Sequence, residues 1–318
     1  MEELTWLPGG SVDDLRAALR TAVPGLADSS VVLHPRVDQS DPLWSSSSAR
    51  VGEDFVVKFA WSKDAAERLW HEARILQVLT DGAAQAMLLP ELVATSRRPV
   101  LVVTRLVEGG PLTYELVRSV GPSGVEQIAT EMASFLVHLH RPSLLTRVRH
   151  DLGALSAPAP QATTDRLRVG LPPYLRADQC ERLLTWCDWV DAALGSSAGP
   201  VLVHGDLHGH NQVWDRDELR LRVVVDYETS ALAEPEYDFR YLPAQGPGVD
   251  LLLSTASRYE AGSGRVLALD RIMAWHMRTA LGDALWRSEA NVPLPGGGSP
   301  AAWMDELGER LETLALRP

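Results

Sequence analysis

Residues Val201 to Glu228 read VLVHGDLHGHNQVWDRDELRLRVVVDYE. An apolar run, Val201, Leu202 and Val203, delivers His204-Gly205-Asp206, and Asn211 follows five residues after the aspartate. A second run, Leu221, Val223, Val224 and Val225, delivers Asp226. Short runs rich in β-branched residues read as strands. Two carboxylates and an amide therefore arrive at the ends of two adjacent short strands. Taken singly, each of the three fits an Asx-capped turn. That reading does not account for all three together.

Phosphoryl transfer needs such a set: one aspartate to accept a hydroxyl proton, and an asparagine and an aspartate to hold magnesium on the phosphates. The pattern H-x-D-x-x-x-x-N, followed by a strand ending in Asp, resembles the aminoglycoside phosphotransferase and choline kinase family. The resemblance implies an α+β, bilobal, protein-kinase-like fold with a small β-rich N-lobe and a larger, mostly helical C-lobe. It implies ATP-dependent phosphorylation of a small-molecule hydroxyl with Mg2+, GTP being the alternative donor. By position, Asp206 is the catalytic base, and Asn211 and Asp226 are the metal ligands. A later aspartate in a P-x-x-D context braces the catalytic loop in the family, and Pro235-Glu236-Tyr237-Asp238 gives that role to Asp238.

His204, His208 and His210 in the same segment invite a zinc reading. No cysteine or third distant histidine completes a recognisable ligand set. His204 is read as shaping the catalytic loop through ring hydrogen bonds. His208 and His210 are left to face substrate or solvent.

Lys58 lies in FVVKFA, an alternating strand, where a cation is costly without a partner. On the following helix, Leu69, Ala73 and Leu76 define the apolar face. At about 100° per residue, Glu72 falls within roughly 60° of Leu69, whereas Glu67 points almost opposite. Glu72 is the expected partner, and a Lys–Glu pair of this kind positions the ATP α/β-phosphates in kinases. The bland alternative is a surface lysine and a rim glutamate. No G-x-G-x-x-G and no Walker motif is present. Asp38 to Leu43 lies where a phosphate loop belongs, with Ser40 as the candidate phosphate contact and Ser45 to Ser48 as further donors. The hinge is expected at Val103 to Leu106. By analogy, Thr104 C=O and Leu106 N–H would hold adenine.

The chain has 318 residues, 45% of them apolar, enough for two lobes. With 30 basic and 42 acidic residues, the formal charge is −12, which argues against nucleic acid or an anionic membrane as partner. It suits a cationic small-molecule substrate. Glu228, Glu234 and Glu236 are the carboxylates expected to face that substrate, with Asp283 and Glu289 candidates on the same grounds. A solvated acidic surface explains each of them equally well. Cys180 and Cys187 share one helical pattern and read as packing residues. MEELTWLPGG lacks a signal-peptide core, and no apolar run approaches a membrane span. A cytoplasmic monomer or homodimer is expected.

The N-lobe is expected over residues 1–106, with a helix from Ser11 to Val23, strands at Val31–Leu33, Ser47–Val51, Phe55–Ala60, Glu91–Ser96 and Val100–Leu106, and a helix over Lys63–Leu79 capped by Ser62. The C-lobe is expected over 107–318. Its first helix, Ser123–His140, would open on a capping box, Ser123 with Glu126. Leu144 to Pro173 reads as loop with short helical pieces. Helices follow at Asp178–Leu194, Val249–Ala261, Ala268–Ser288 and Ala301–Leu316. A protein kinase does not fit, since D-F-G and A-P-E are missing. The alternatives are a metabolic small-molecule kinase for an amino sugar, a choline-like or a methylthio-sugar acceptor, and a catalytically silent nucleotide-binding pseudokinase.

Overall fold

The structure, a computed structural model, describes residues 3–34, 45–81, 88–153, 155, 162–195 and 199–318. Ser40 and the rest of the expected phosphate loop, 38–43, lie outside the described residues.

The N-terminal region is a five-stranded antiparallel sheet: β1 (Val31–Leu33), β2 (Ser46–Val51), β3 (Phe55–Ala60), β4 (Leu92–Arg97) and β5 (Val100–Arg105). The spatial order is β1-β2-β3-β5-β4. A helix covers each face. Helix α1 (Val12–Ala22) places Leu15 and Leu19 against Val57, Phe59, Leu101 and Val103. Helix α2 (Lys63–Asp81) places Leu69 and Ala73 against Ala60, Val100 and Val102. The strand period of two thus divides β5 between two cores. Each large apolar side chain fully withdrawn from water contributes about 1.5–3 kcal/mol. Both helix starts are side-chain capped. Ser11 Oγ accepts the Asp14 N–H at 3.1 Å, and Ser62 Oγ accepts the Ala65 N–H at 3.2 Å.

The C-terminal region is helical around one large core. It contains α3 (Tyr114–Ser119), α4 (Gly121–Leu139), α5 (Pro142–Leu152), α6 (Thr164–Gly170) and α7 (Ala177–Leu194). After the site-bearing strands come α8 (Glu236–Phe239), α9 (Asp250–Ser263), α10 (Leu269–Ala290) and α11 (Pro300–Thr313). Two small β-elements sit on this region. One joins β6 (Gly110–Pro111), β8 (Gln212–Asp215) and β9 (Arg220–Val224), and the other pairs β7 (Val201–Val203) with β10 (Ala231–Ala233). Among the described residues, no helix is long and apolar enough to cross a membrane.

Two local expectations are corrected. The capping box does not form: α4 begins at Gly121 with Pro122 in its first turn, so Ser123 is already inside the helix. Glu126 instead accepts Ser254 Oγ at 2.6 Å and pairs with Arg258 on α9. The expected loop over Leu144 to Pro173 holds two regular helices, α5 and α6. Helix α5 buries only Leu144 and Val148, one turn apart, too few apolar positions to show a period.

The caps give a first test. Ser62→Ala should lower stability by about 1 kcal/mol, as loss of an N-cap does. Ser123→Ala should change it by less than about 0.5 kcal/mol. Urea titration of both variants checks this; equal losses would mean that Ser123 is a cap after all.

Candidate active site

Lys58 stands opposite Val102 in the β3–β5 ladder, so it shares the sheet face that α2 covers. One helical turn beyond Leu69, Glu72 is 2% exposed. Lys58 Nζ donates to both Glu72 carboxylate oxygens at 2.8 Å and to Asp226 Oδ1 at 2.9 Å. Burial alone would pull the lysine pKa down, but the charges of Asp226, Glu72 and Glu228 hold it well above its ordinary value. The Tyr227 N–H also reaches Glu72 Oε1, at 3.3 Å. Sheet, helix α2 and the end of β9 thus meet at one buried cation.

Asp226 follows β9 in a left-handed backbone conformation, φ 73° and ψ 62°. Aspartate tolerates this region better than most side chains. The Val225 N–H donates to Asn211 C=O at 2.9 Å, one step beyond the Gln212–Val224 pair. Asn211 and Asp226 therefore lie side by side at one end of the β8–β9 hairpin. Asn211 Nδ2 donates to Asp206 C=O at 2.8 Å, which leaves the amide oxygen as an acceptor. Lys58 holds only one oxygen of Asp226. A neutral amide oxygen and one carboxylate oxygen match Mg2+, which takes hard oxygen ligands, often only one or two from protein, and fills the rest with phosphate and water. Among the described residues, no group of three or more His, Cys, Asp or Glu side chains gathers as a metal cage.

Asp206 lies between β7 and β8, with its side chain about a third exposed. Tyr241 OH donates to Oδ1 at 2.6 Å, and Arg240 Nη2 stands 3.8 Å from the same oxygen. Oδ2 has only long contacts, 3.4 Å to His208 Nε2 and 3.4 Å to Asn211 Nδ2. Burial would raise the Asp206 pKa. His208, Arg240 and Tyr241 more than reverse this and hold the carboxyl well below the carboxylate range. The carboxylate is ionised at neutral pH, and Oδ2, with only the longer contacts, is the oxygen able to take a proton.

The loop around Asp206 is fixed from beneath. Asp238 accepts the His204 N–H at 2.8 Å and the Gly205 N–H at 3.0 Å, while His140 Nε2 stands 3.1 Å from Asp238 Oδ2. Burial would raise the Asp238 pKa, yet hydrogen bonding with His140 and from the Gly205 N–H brings it below its ordinary value. His204 Nδ1 accepts the Asp206 N–H at 3.2 Å, so its Nε2–H donates to Val225 C=O at 2.9 Å. Burial holds that ring neutral. Gly205 has φ 89°, and an added Cβ would lie 2.2 Å from Thr229 C=O. Only glycine fits this turn.

Residues 38–276 match the model of the phosphotransferase enzyme family, APH. The chain belongs to that family. Among solved structures, the GDP complex of wild-type aminoglycoside 2'-phosphotransferase-IIIa has a TM-score of 0.68 at 18% identity, over 95% of this chain and 98% of that one. The streptomycin–ATP–APH(2")-IIa ternary complex gives 0.57 at 17%, over 97% of each chain. The macrolide 2'-phosphotransferase MphH from Brachybacterium faecium gives 0.56 at 19%, over 96% and 98%. At these identities the likeness is one of fold, and it agrees with the expected α+β kinase-like architecture. No curated protein sequence matches the chain.

In this phosphotransferase, several expected site residues lie elsewhere. Glu234, expected to face substrate, is 4% exposed and pairs with Arg271, and Trp275 Nε1 donates to it as well. Glu236 is 3% exposed, and its Oε1 accepts the Ala268 N–H at the head of α10. Both carboxylates tie the segment after Asp226 to α10. Asp283 pairs with Arg287, and Glu289 with Arg166. Glu228 sits beside Asp226 and Lys58, with Arg68 Nε at 3.8 Å. Burial and the charge of Asp226 push its pKa up to about 7. His208 does lie at Asp206, its ring edge-on to Tyr241. The two groups expected to hold adenine are engaged within the protein. Leu106 N–H already donates to Asp54 C=O at 2.7 Å, and Thr104 is paired with strands on both sides.

Four residues had no sequence signal of their own: Tyr241, Arg240, His140 and His276. Arg240 is 3% exposed and stacks between Tyr237 at 3.8 Å and Tyr241 at 4.3 Å. His276 Nδ1–H donates to Arg240 C=O at 2.7 Å, and its buried Nε2 has no hydrogen-bond partner among the described residues. Protonating Nε2 would bury an unpaired N–H⁺ near Arg310. Burial and that charge therefore drive the His276 pKa down to about 3.

This has a pH consequence. The unfolded chain takes up a proton at this histidine below about 6.5, while the folded chain does not. The stability that His276 contributes is complete above pH 6.5 and is lost as pH falls toward 3. From pH 7 to pH 5 the loss should be about 2 kcal/mol. His276→Asn keeps the Nδ1-type donor and removes the titration. Its stability should fall less over that range than the parent's, by urea titration at each pH. Parallel curves would refute the assignment.

Proposed function

We propose that this chain transfers the γ-phosphoryl group of ATP to a hydroxyl of a small molecule, with residues 1–106 and 107–318 as nucleotide-binding and catalytic lobes. The observation that carries this reading is the convergence of both regions of the chain on one site: Lys58 holds Glu72 and Asp226, the Val225 N–H beside Asp226 bonds Asn211 C=O, and the Asn211 amide bonds Asp206 C=O. In it, Asp206 orients the acceptor hydroxyl and takes its proton through Oδ2 as the oxygen attacks the γ-phosphorus. The bond to the β–γ bridging oxygen breaks and ADP leaves. Lys58, positioned by Glu72, holds the α/β-phosphates. Asn211 and Asp226 would hold Mg2+, which when bound neutralises charge on the phosphates. His204 and Asp238 keep the Asp206 loop in place. Adenine would take its backbone contacts from Val107 to Gly109, beyond the groups already paired at Thr104 and Leu106.

The acceptor we put first is an antibiotic of the aminoglycoside or macrolide type, the reaction conferring resistance, because the enzymes of like fold are named for those acceptors. Such a reaction belongs in the cytoplasm, where ATP is. Four of the five carboxylates that favoured a cationic acceptor no longer do so. Glu234, Glu236, Asp283 and Glu289 are all bound within the protein. A panel should therefore hold neutral and amine-bearing alcohols side by side, metabolic acceptors included.

The test is acceptor-dependent ADP release with that panel, together with two site variants. Asp206→Ala should reduce turnover by at least about a thousandfold with nucleotide affinity nearly unchanged. Asp226→Asn should lose Mg2+-dependent nucleotide affinity as measured by calorimetry. Turnover of the Asp206 variant within a few-fold of the parent would sink the assignment.

A second measurement addresses the lysine. Lys58→Met and Glu72→Ala should each raise the KM for ATP and lower kcat. The double variant should be hardly worse than Lys58→Met alone, because the two act as a unit. Additive losses would separate them.

A further inference from the structure

We infer that Tyr241, backed by Arg240, is a positioning residue for Asp206: it holds Oδ1 so that Oδ2 alone is presented to the acceptor hydroxyl. The inference rests on the role proposed for Asp206 above.

An aspartate side chain turns easily about its last torsion, which is broad and roughly two-fold. A base that must meet a hydroxyl at hydrogen-bond distance cannot be left to rotate, since a misplacement of about 1 Å costs on the order of a hundredfold in rate. The two oxygens of Asp206 are unequal in this structure. Oδ1 accepts the Tyr241 hydroxyl at 2.6 Å, while Oδ2 has two contacts, each at 3.4 Å.

The direction of the short bond is forced. Arg240 Nη2 donates to Tyr241 Oη at 3.2 Å. A guanidinium can only donate and an ionised carboxylate can only accept. The phenolic proton between them must therefore point at Asp206. Arg240 itself stands 3.8 Å from Oδ1, beyond a hydrogen bond, so the hydroxyl is the link that joins them.

The clamp is anchored at its far end. Arg240 donates to Tyr237 C=O at 2.9 Å and also to Gly205 C=O, the residue before Asp206. Its guanidinium is packed between the Tyr237 and Tyr241 rings. Asp206 is thus held at its backbone and at its side chain by the same arginine–tyrosine pair. Arg240 is buried, and Tyr241 is half-buried with its ring packed on the guanidinium.

Tyr241→Phe deletes one oxygen and keeps the ring stacked on Arg240. The expected result is a kcat at least tenfold lower, a KM for Mg·ATP within twofold of the parent and a melting temperature within about 2 °C. In an Asp206→Asn background the same change should cause no further loss of kcat, since the oxygen to be positioned has already lost its function. A kcat within twofold of the parent would overturn the inference. So would a loss of kcat accompanied by an equal loss of nucleotide affinity and a lower melting temperature, which is what a general structural role produces. Asp206→Ala measured alongside separates the two claims. If it is inactive while Tyr241→Phe is unimpaired, only the positioning role falls; if it remains active, the base assignment falls and the positioning role with it.

Discussion

One buried cation ties the molecule together. Lys58 Nζ is held by both oxygens of Glu72 and one of Asp226. Leaving such a group without partners would cost several kcal/mol, so the lysine, the glutamate and the aspartate constrain one another. The lysine comes from a strand of the N-terminal sheet, the glutamate from the helix packed on it, and the aspartate from beyond β9. Satisfying one charge therefore fixes the sheet, the helix and the start of the catalytic element relative to each other. A pair of this kind adds little net stability over apolar packing. What it provides is placement.

The Asp206 loop obeys the same logic with the signs exchanged. Asp238 is a fully buried carboxylate satisfied by two backbone N–H groups and by His140. His204 is a buried ring kept neutral, with one nitrogen accepting and the other donating. The His204 and Gly205 N–H groups and the His204 ring nitrogens are all engaged, and a satisfied buried polar network is a rigid one. Rigidity there is what lets Asp206, about a third exposed at the surface of the network, hold one orientation.

What the sequence revealed follows from the range of the forces involved. Asp206, Asn211 and Asp226 were legible because two short β-branched runs fix strand ends by local pattern alone. Lys58 and Glu72 were legible because a cation in an alternating strand demands a partner and helical periodicity leaves one glutamate on the facing side. Ser62 was legible as a cap because a cap is a contact over three residues. Glu234 and Glu236 were not. A carboxylate shows its charge in the sequence but not its partner, and Arg271 lies on a helix more than thirty residues away. Leu106 failed for a related reason: whether an N–H is free depends on the neighbouring strand's length.

Arg240 and Tyr241 stayed invisible because nothing local marks them. They follow the aspartate that braces the loop, and by sequence they could be any buried arginine and tyrosine. Their significance arises only when the short helix α8 sets them against Gly205 and Asp206, more than thirty residues earlier. The charge of the acceptor side changes with this. Counting residues gives an acidic protein, but the groups that contact the Asp206 carboxylate are an arginine, a histidine, a tyrosine and an amide. Exposed charges elsewhere act through water and are screened over about 8 Å at physiological salt. The field at Asp206 is therefore set by these few neighbours, and the net charge of the chain is a poor guide to it.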